Sequence, residues 1–366
     1  MPKLPSSPVS MSDIAIEAGV SESTVSRALN DNKLISVKTR KKIQAIAREM
    51  NYKFNESARS LRLQRSHTVS VVINSEQGAG QSFSDPFMMD LIGSIADELS
   101  RHKYDLLFSS SIVARQDWHA YLLGSRRADG VIVIGQGKSD LPLRELHKLD
   151  DPIVVWGGTL EEDTPYCIVG SDNILGGRQA TDHLIGLGRR RILFLGDIQH
   201  AEINTRYQGY LNALRSAGLE THQRHIDTTF SIDGSYQCVV NMLAREGLTF
   251  DAVFAASDNI AMGTIKALQQ KNYTVPGDVS VVGFDDIPIA PFLTPALTTV
   301  RQNVHLGGEI LVRKILTLID TDESTTSEML PTELVVRGSC GANPSYNPAD
   351  DLRHSKVYEA RNHRSG

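Results

Sequence analysis

Cysteine is scarce: Cys167, Cys238 and Cys340 are the only three in 366 residues, too few and too far apart for a disulfide framework or a zinc site. They read as reduced thiols of a cytosolic protein. No apolar run approaches the ~20 residues of a membrane span; the longest are short pieces such as VIVI (131–134). The N-terminus, MPKLPSSPVS, lacks an apolar stretch of secretory type. Neither export by that route nor a place in a membrane is expected. Catalytic signatures are missing too: there is no G-x-S-x-G, no H-E-x-x-H, and no G-x-G-x-x-G after the first strand candidate. GQGKS (135–139) has Ile132 where a phosphate loop needs its first glycine, which leaves the backbone nest incomplete. The 11 histidines show no metal-ligand spacing. No metal, cofactor or enzymatic activity is therefore expected.

What is present is an ordinary globular composition, 40% hydrophobic and 22% charged, which excludes disorder over most of the length. The length implies more than one domain. The net charge of -5 hides an asymmetry. Residues 1–66 hold 12 Lys+Arg against 6 Asp+Glu, a net of +6; the other 300 hold 26 against 37, a net of -11. A basic head on an acidic body suggests that the head meets a polyanion and the body does not.

After a Pro- and Ser-rich leader the head reads as three short helices. SDIAIEAG puts Ile14, Ala15 and Ala18 on one face, with Ser12 as the expected N-cap, and Gly19 ends it in a tight turn. Ser21 caps a second helix, whose inner face is Val25, Ala28 and Leu29. Ser36 caps a third, with Val37, Ile43, Ile46, Ala47 and Met50 at mixed three- and four-residue steps. Three helices with a glycine turn between the first two describe a helix-turn-helix, whose second helix enters the major groove by its N-terminal end. Its outward residues, Glu22, Ser23, Thr24, Ser26 and Arg27, suit base edges and phosphates.

These residues carry a resemblance. DIAIEAGVSESTVSRALN, SVKTRKKIQAIAREMNY and NESARSLR together resemble the DNA-binding head of the lactose-repressor (LacI/GalR) family of bacterial transcription regulators. The resemblance implies a DNA-contacting set of Ser12, Ser21, Glu22, Ser23, Thr24, Ser26, Arg27, Asn30, Ser36, Thr39 and Tyr52. It also implies a hinge helix that forms on DNA, with Asn55, Ser57, Ala58 and Leu61 at the duplex. Asn55 can cap that helix, but eight residues are too few to be helical alone in water. Arg59 and Arg62 can reach phosphates. Leu61 matches the hinge leucine, an apolar wedge between base pairs in the minor groove, so the operator centre should be a flexible pyrimidine–purine step. One recognition helix per chain reads one half-site, so a homodimer on a palindromic operator is expected.

From residue 69 short Val- and Ile-rich strands alternate with helical stretches. The strand candidates are 69–74, 104–109, 130–135, 152–156, 166–171, 190–196, 251–257 and 279–285. Repeated βαβ units mean doubly wound parallel sheets. Two units of about five strands, crossing over near 157–165 and again near 286–305, match the two-lobed periplasmic-binding-protein architecture that the resemblance implies. The expected division is a leader (1–10), a helix-turn-helix (11–54), a hinge and linker (55–66), a sugar-binding and dimerisation domain (67–340) and a disordered tail (341–366). Within the body the first lobe is expected over 67–160 plus 300–322 and the second over 165–296 plus 328–340. The tail shows no leucine heptads, so a dimer is expected rather than a tetramer.

In open α/β sheets ligands bind beyond the carboxyl ends of the strands. That rule nominates Asp85, Phe87, Trp156, Asp172, Arg206, Ser257, Asp258 and Asp285. The resemblance adds weight to Arg206 and Asp285 as effector-binding residues, and places Phe87, Phe230 and Gln302 with cleft side chains of relatives. Aromatic faces with an Arg/Asp pair suit a small sugar, whose CH faces stack while its hydroxyls bridge carboxylate and guanidinium. Structural roles stand beside these. Trp156 and Phe230 could be core, Asp285 could cap a turn, Arg206 could pair a helix terminus, and Asp172 could cap the next helix. The expectation is a cytoplasmic, nucleoid-associated repressor of carbohydrate-utilisation genes, controlled by a sugar between its lobes. A secreted sugar-binding protein would share the body but not the head; a sugar-metabolising enzyme would need a paired acid and base that nothing nominates.

Overall fold

The computed structural model describes residues 9–29, 31–52, 65–74, 84–110, 117–158, 164–321 and 323–342. The chain divides into two compact units, Met1–Gln64 and Arg65–Gly366.

The head unit contains α1 (Met11–Ala18), α2 (Glu22–Leu29) and α3 (Val37–Glu49). The N-cap of α1 is Ser10, not Ser12. Ser10 and Asp13 form a capping box, the Asp13 N–H donating to Ser10 Oγ (3.3 Å) and the Ser10 N–H to Asp13 Oδ2 (2.8 Å). Two orphan donors are satisfied at once, which Ser12 cannot do from its exposed place in the first turn. Gly19 closes the helix at φ +70°, a left-handed conformation that favours glycine. Ser21 Oγ and Ser36 Oγ accept from the Thr24 and Thr39 N–H groups, capping α2 and α3 as expected. Ile14, Ala15, Ala18, Val25, Ala28, Ile43 and Ala47 form the head's core. Val37 is 58% exposed, contrary to expectation. Six residues before Ile43, it lies about 120° round the helix from the buried stripe.

The second unit holds two six-stranded sheets. The first contains β1 (Thr68–Ile73), β2 (Asp105–Ser110), β3 (Gly130–Ile134), β4 (Ile153–Trp156), β5 (Cys167–Ser171) and β11 (Glu328–Leu330), in the order β11-β5-β4-β3-β1-β2. The second contains β6 (Ile192–Leu195), β7 (Arg224–Ile226), β8 (Ala252–Ala255), β9 (Ser280–Asp285), β10 (Thr298–Arg301) and β12 (Glu333–Val335), in the order β12-β10-β9-β8-β6-β7. All pairings are parallel except β10 with β12. In the first sheet alternate residues serve opposite cores: Val71 and Ile73 face one layer, Val72 the other. The helices are α4 (Pro86–Arg101), α5 (Leu141–Lys148), α6 (Asn173–Gly186), α7 (Ala201–Ser216), α8 (Ile232–Glu246), α9 (Asp258–Gln270) and α10 (Val304–Asp320), with a π-helical turn at His119–Gly124. The fold is thus a helix-turn-helix head followed by a two-lobed, doubly wound α/β body.

Several details differ from the sequence expectation. Each sheet has six strands rather than about five. β7, β11 and β12 are only three residues long, and the last two each carry a glutamate at a sheet edge. β10 reads TTVR; its threonines are buried with their hydroxyls bonded internally, Thr299 Oγ1 to Asp258 Oδ1 and Thr298 Oγ1 to Cys340 Sγ. The first crossover falls later than expected, and the second, after Arg301, falls within the expected stretch. Cys167–Val169 pairs with Val154–Trp156, so β5, expected in the second lobe, extends the first sheet. β11 joins the first sheet too, and β10, expected mostly outside the second lobe, lies in the second sheet. The chain therefore crosses three times: after Ser171, after Arg301, and between Leu330 and Glu333. Two crossings touch, the Asp172 N–H donating to Leu330 O (2.8 Å) and Thr332 Oγ1 to Asp172 O (3.4 Å).

Candidate functional site

The carboxyl ends of both sheets open on one cleft between the lobes, about 610 Å³ with its mouth included. Seven of the ten nominated residues line it: Asp85, Phe87, Trp156, Arg206, Phe230, Ser257 and Asp285. Asp85 caps α4, accepting from the Phe87 N–H (3.0 Å) and Met88 N–H (3.4 Å), and this places Phe87 on the first turn at the wall. Trp156 ends β4, 6.3 Å from Phe87 between ring centroids. Its back packs so tightly on α10 that a Cβ on Gly307 would meet the indole at 2.4 Å, so it is both core and cleft wall. Phe230 meets His200 edge-on at 4.9 Å.

Arg206 sits on α7 with 6% of its surface exposed. The Nε group donates to Asn173 Oδ1 (2.8 Å) and Nη1 to Ala256 O (2.5 Å), while the guanidinium lies 3.8 Å over the Phe284 ring. Asp285 Oδ1 is 3.6 Å from Nη1 and accepts from Gln302 Nε2 at 2.7 Å. Burial pulls the arginine's proton affinity down, against the attraction of Asp285, Glu202, Asp258 and Asp85. Burial likewise pushes the Asp285 carboxyl up to about 7, Arg206 opposing and Asp85 adding to the rise. Both charged forms are thus short of solvation, a polar pair at the base of an open cleft. Arg206→Ala would strand Asp285 and the Ala256 carbonyl. A loss of about 3–5 kcal/mol in folding stability is expected by denaturant titration; a loss below about 1 kcal/mol would show that the pair is not structural.

Asp285 and Asp286 carry φ of +114° and +57°, a left-handed turn directly after β9. Such backbone costs of order 1–3 kcal/mol per residue and persists where surroundings over-determine it. Here the Asp286 carboxylate is held by Arg301 Nε and Arg337 Nη2, each at 2.7 Å. The turn aims Asp285 into the cleft and Asp286 away.

Three nominated residues do not line the cleft. Asp172 caps α6 through the Leu175 N–H (2.9 Å) at a crossover. Asp258 is fully buried behind Asp285, accepting from Thr299 Oγ1 and from the Ile287 N–H (2.9 Å). Burial, then the Asp285 charge, pushes its carboxyl well up. Gln302 reaches the site only through Asp285. Conversely, Asn74, Met88, Ile134, Gly135, Gly137, His200, Glu202 and Ile203 line the cleft without having been nominated. The strand-end rule already pointed at Asn74 after β1 and Gly135 after β3. Glu202 is one helical turn before Arg206 on the same face. The helix begins at Ala201, so Glu202 stands in its first turn.

The lobes also meet directly. Asp85 Oδ2 accepts from Asn259 Nδ2 (2.9 Å), Glu202 Oε1 accepts from the Gln136 N–H (3.0 Å), and Lys138 Nζ pairs with Asp197 Oδ2 (2.8 Å). The GQGKS loop is therefore a cleft-side strap between the lobes.

On the head, Ser21, Glu22, Ser23 and Arg27 are exposed along α2, with Thr24 and Ser26 half-buried. The Ser21 hydroxyl bonds those of Ser23 and Thr24, and Ser36 bonds Thr39, all at 2.9 Å. Tyr52 packs half-buried on the head core. Exposed Lys38, Lys41, Lys42 and Arg48 add positive charge along α3 that was not nominated. Asn30, Asn55, Ser57, Ala58, Arg59, Leu61 and Arg62 lie outside the described residues, as do 1–8 and 343–366.

Comparison with known proteins matches residues 10–55 to the model for bacterial regulatory proteins of the lacI family, and 181–340 to that for a periplasmic binding protein-like domain. The HTH-type transcriptional regulator CelR of Thermobifida fusca is 32% identical over 335 residues, covering 89% of this chain and 96% of its own. The chain belongs to the lacI family of bacterial regulatory proteins. Among solved structures, the Lac repressor dimer bound to operator and the anti-inducer ONPF matches with a TM-score of 0.80 at 25% identity, covering 91% of this chain and 99% of its own. The CelR–cellobiose complex matches with 0.66 at 31% identity, covering 90% and 99%. Members of the family are transcriptional regulators. Among the described residues no helix is long and apolar enough to cross a membrane, and no group of His, Cys, Asp and Glu is placed to hold a metal ion.

Proposed function

We propose that this chain is a cytoplasmic, non-enzymatic repressor of carbohydrate-utilisation genes, whose affinity for a palindromic operator is set by a small sugar between the lobes. The observation that carries this reading is the Arg206–Asp285 pair at the base of a cleft walled by Phe87, Trp156 and Phe230. Rings stack on the apolar faces of a sugar, and its hydroxyls donate to the carboxylate while accepting from the guanidinium. In the CelR relative the bound molecule is cellobiose. A homodimer would present two α2 helices to two half-sites, with Asn55–Leu61 at the operator centre.

Control follows from the two lobes. A ligand shifts an equilibrium between lobe orientations only by its differential affinity for them, and the coupling is reciprocal. A hundredfold change in operator affinity corresponds to about 2.7 kcal/mol. The direct bridges Asp85–Asn259, Glu202–Gln136 and Lys138–Asp197 are the contacts that such a shift must remake. The test is a gel shift with DNA from upstream of the operon that carries the gene, with and without sugars. Retarded DNA that a sugar releases is the expected result; no retardation at any protein concentration would reject the reading.

A further inference from the structure

Resting on the sugar-cleft reading above, we infer that the cleft takes uncharged sugars and rejects sugar acids and sugar phosphates, with Glu202 enforcing the choice. Among the described residues three carboxylates line the cleft, Asp85 from one lobe and Glu202 and Asp285 from the other. Among the described residues Arg206 is the one Lys or Arg that faces them. Its Nε and Nη1 already donate to Asn173 and Ala256, and Asp285 stands 3.6 Å away. An anionic group seeking this guanidinium must approach Asp285. Lys138 lies at the mouth but is paired with Asp197 at 2.8 Å and donates to Gln199 Oε1 at 3.1 Å. His200 also lines the wall, with Nε2 3.7 Å from the same Asp197.

Glu202 is no loose surface acid. Its Oε1 is pinned by the Gln136 N–H at 3.0 Å, from the opposite lobe, so its charge is fixed at the wall whenever the lobes are in this arrangement. The donor inventory points the same way. Above about pH 7 the Asp285 carboxyl is ionised; an ionised carboxylate only accepts hydrogen bonds, and so does an added carboxylate or phosphate on the ligand. A hydroxyl donates to Asp85, Glu202 or Asp285 and accepts from Arg206 in the same pose. Neutral sugars therefore satisfy this lining, whereas anionic ones leave acceptors facing acceptors in a half-dry cleft.

The test uses the full chain and matched probes. Glucose, galactose and ribose are each compared with the corresponding sugar acid and with the phosphate ester of the primary hydroxyl, and cellobiose is added. Binding is followed by thermal melting and calorimetry. At least one neutral probe should bind, with its anionic counterparts at least about tenfold weaker, a gap that narrows at high salt. Glu202→Gln keeps the size and the acceptor for the Gln136 N–H and removes only the charge, so it should narrow the gap severalfold. Anionic probes that bind as well as or better than neutral ones would overturn the inference and leave the sugar reading standing. A gap unchanged in Glu202→Gln would overturn the role of Glu202. Binding by none of the probes would remove the sugar reading, and this inference with it.

Discussion

Deleting residues 1–64 is expected to lower operator affinity by about a thousandfold or more, the usual gap between specific and non-specific binding, and to leave sugar binding intact. The head holds the positive charge, and residues 67–366 carry a net of -11, which repels DNA. Every described residue that lines the cleft belongs to the second unit. The truncation point also preserves that unit's first anchor, Arg65, which pairs with Asp320 and donates to Ile319 O at the end of α10. Fluorescence anisotropy on operator DNA and a melting scan with sugar read the two properties separately. Undiminished operator affinity in the truncated chain would show that the helix-turn-helix is not the reader.

Asp285→Asn should change both the pH dependence of stability and the response to sugar. The Asp285 carboxyl is pushed from 3.8 to about 7, by burial first, with Arg206 opposing, Asp85 adding to the rise and Gln302 donating to the charged form. Between those values the native state holds a proton that the unfolded chain has already released. The stability that this carboxyl contributes therefore falls as pH rises from about 4 to about 7. Asparagine holds no such proton. The variant should gain on the wild type steadily across that window, and Asp258, buried behind it, should titrate more easily without a charged neighbour. A difference between the two proteins that is flat with pH would mean that Asp285 is not the buried, protonated group. In the cleft, above about pH 7 where this carboxyl is ionised, the same substitution replaces a charge-assisted acceptor with a neutral one. The loss of about 1.5–3 kcal/mol corresponds to about ten- to a hundredfold weaker sugar binding.

Arg206 and Asp285 were legible as cleft residues because the strand-end rule and the family resemblance converge on each. The same rule misassigned Asp258 and Asp172, since it places a residue beyond a strand without saying which way its side chain leaves the turn. Asp258 points back to Thr299, on a strand whose buried threonines read as loop. Asp172 is spent on a crossover, and the crossovers depend on which sheet β5 and β11 join, a long-range pairing with no local signature. The head was more legible, because caps and a glycine turn are local chemistry. Its one wrong cap arose because Ser10 and Ser12 are both serines, and only the reciprocal bonds of Asp13 separate them.

The central claim is that a sugar held by Asp285 and Arg206 governs the grip of the head on DNA. Operator affinity should be measured against the concentration of a neutral sugar that raises the melting temperature, in wild type and in Asp285→Asn. Equal affinities without sugar are expected, with the release curve of the variant displaced about ten- to a hundredfold to higher sugar. Superimposable release curves would contradict the account and put the controlling site elsewhere.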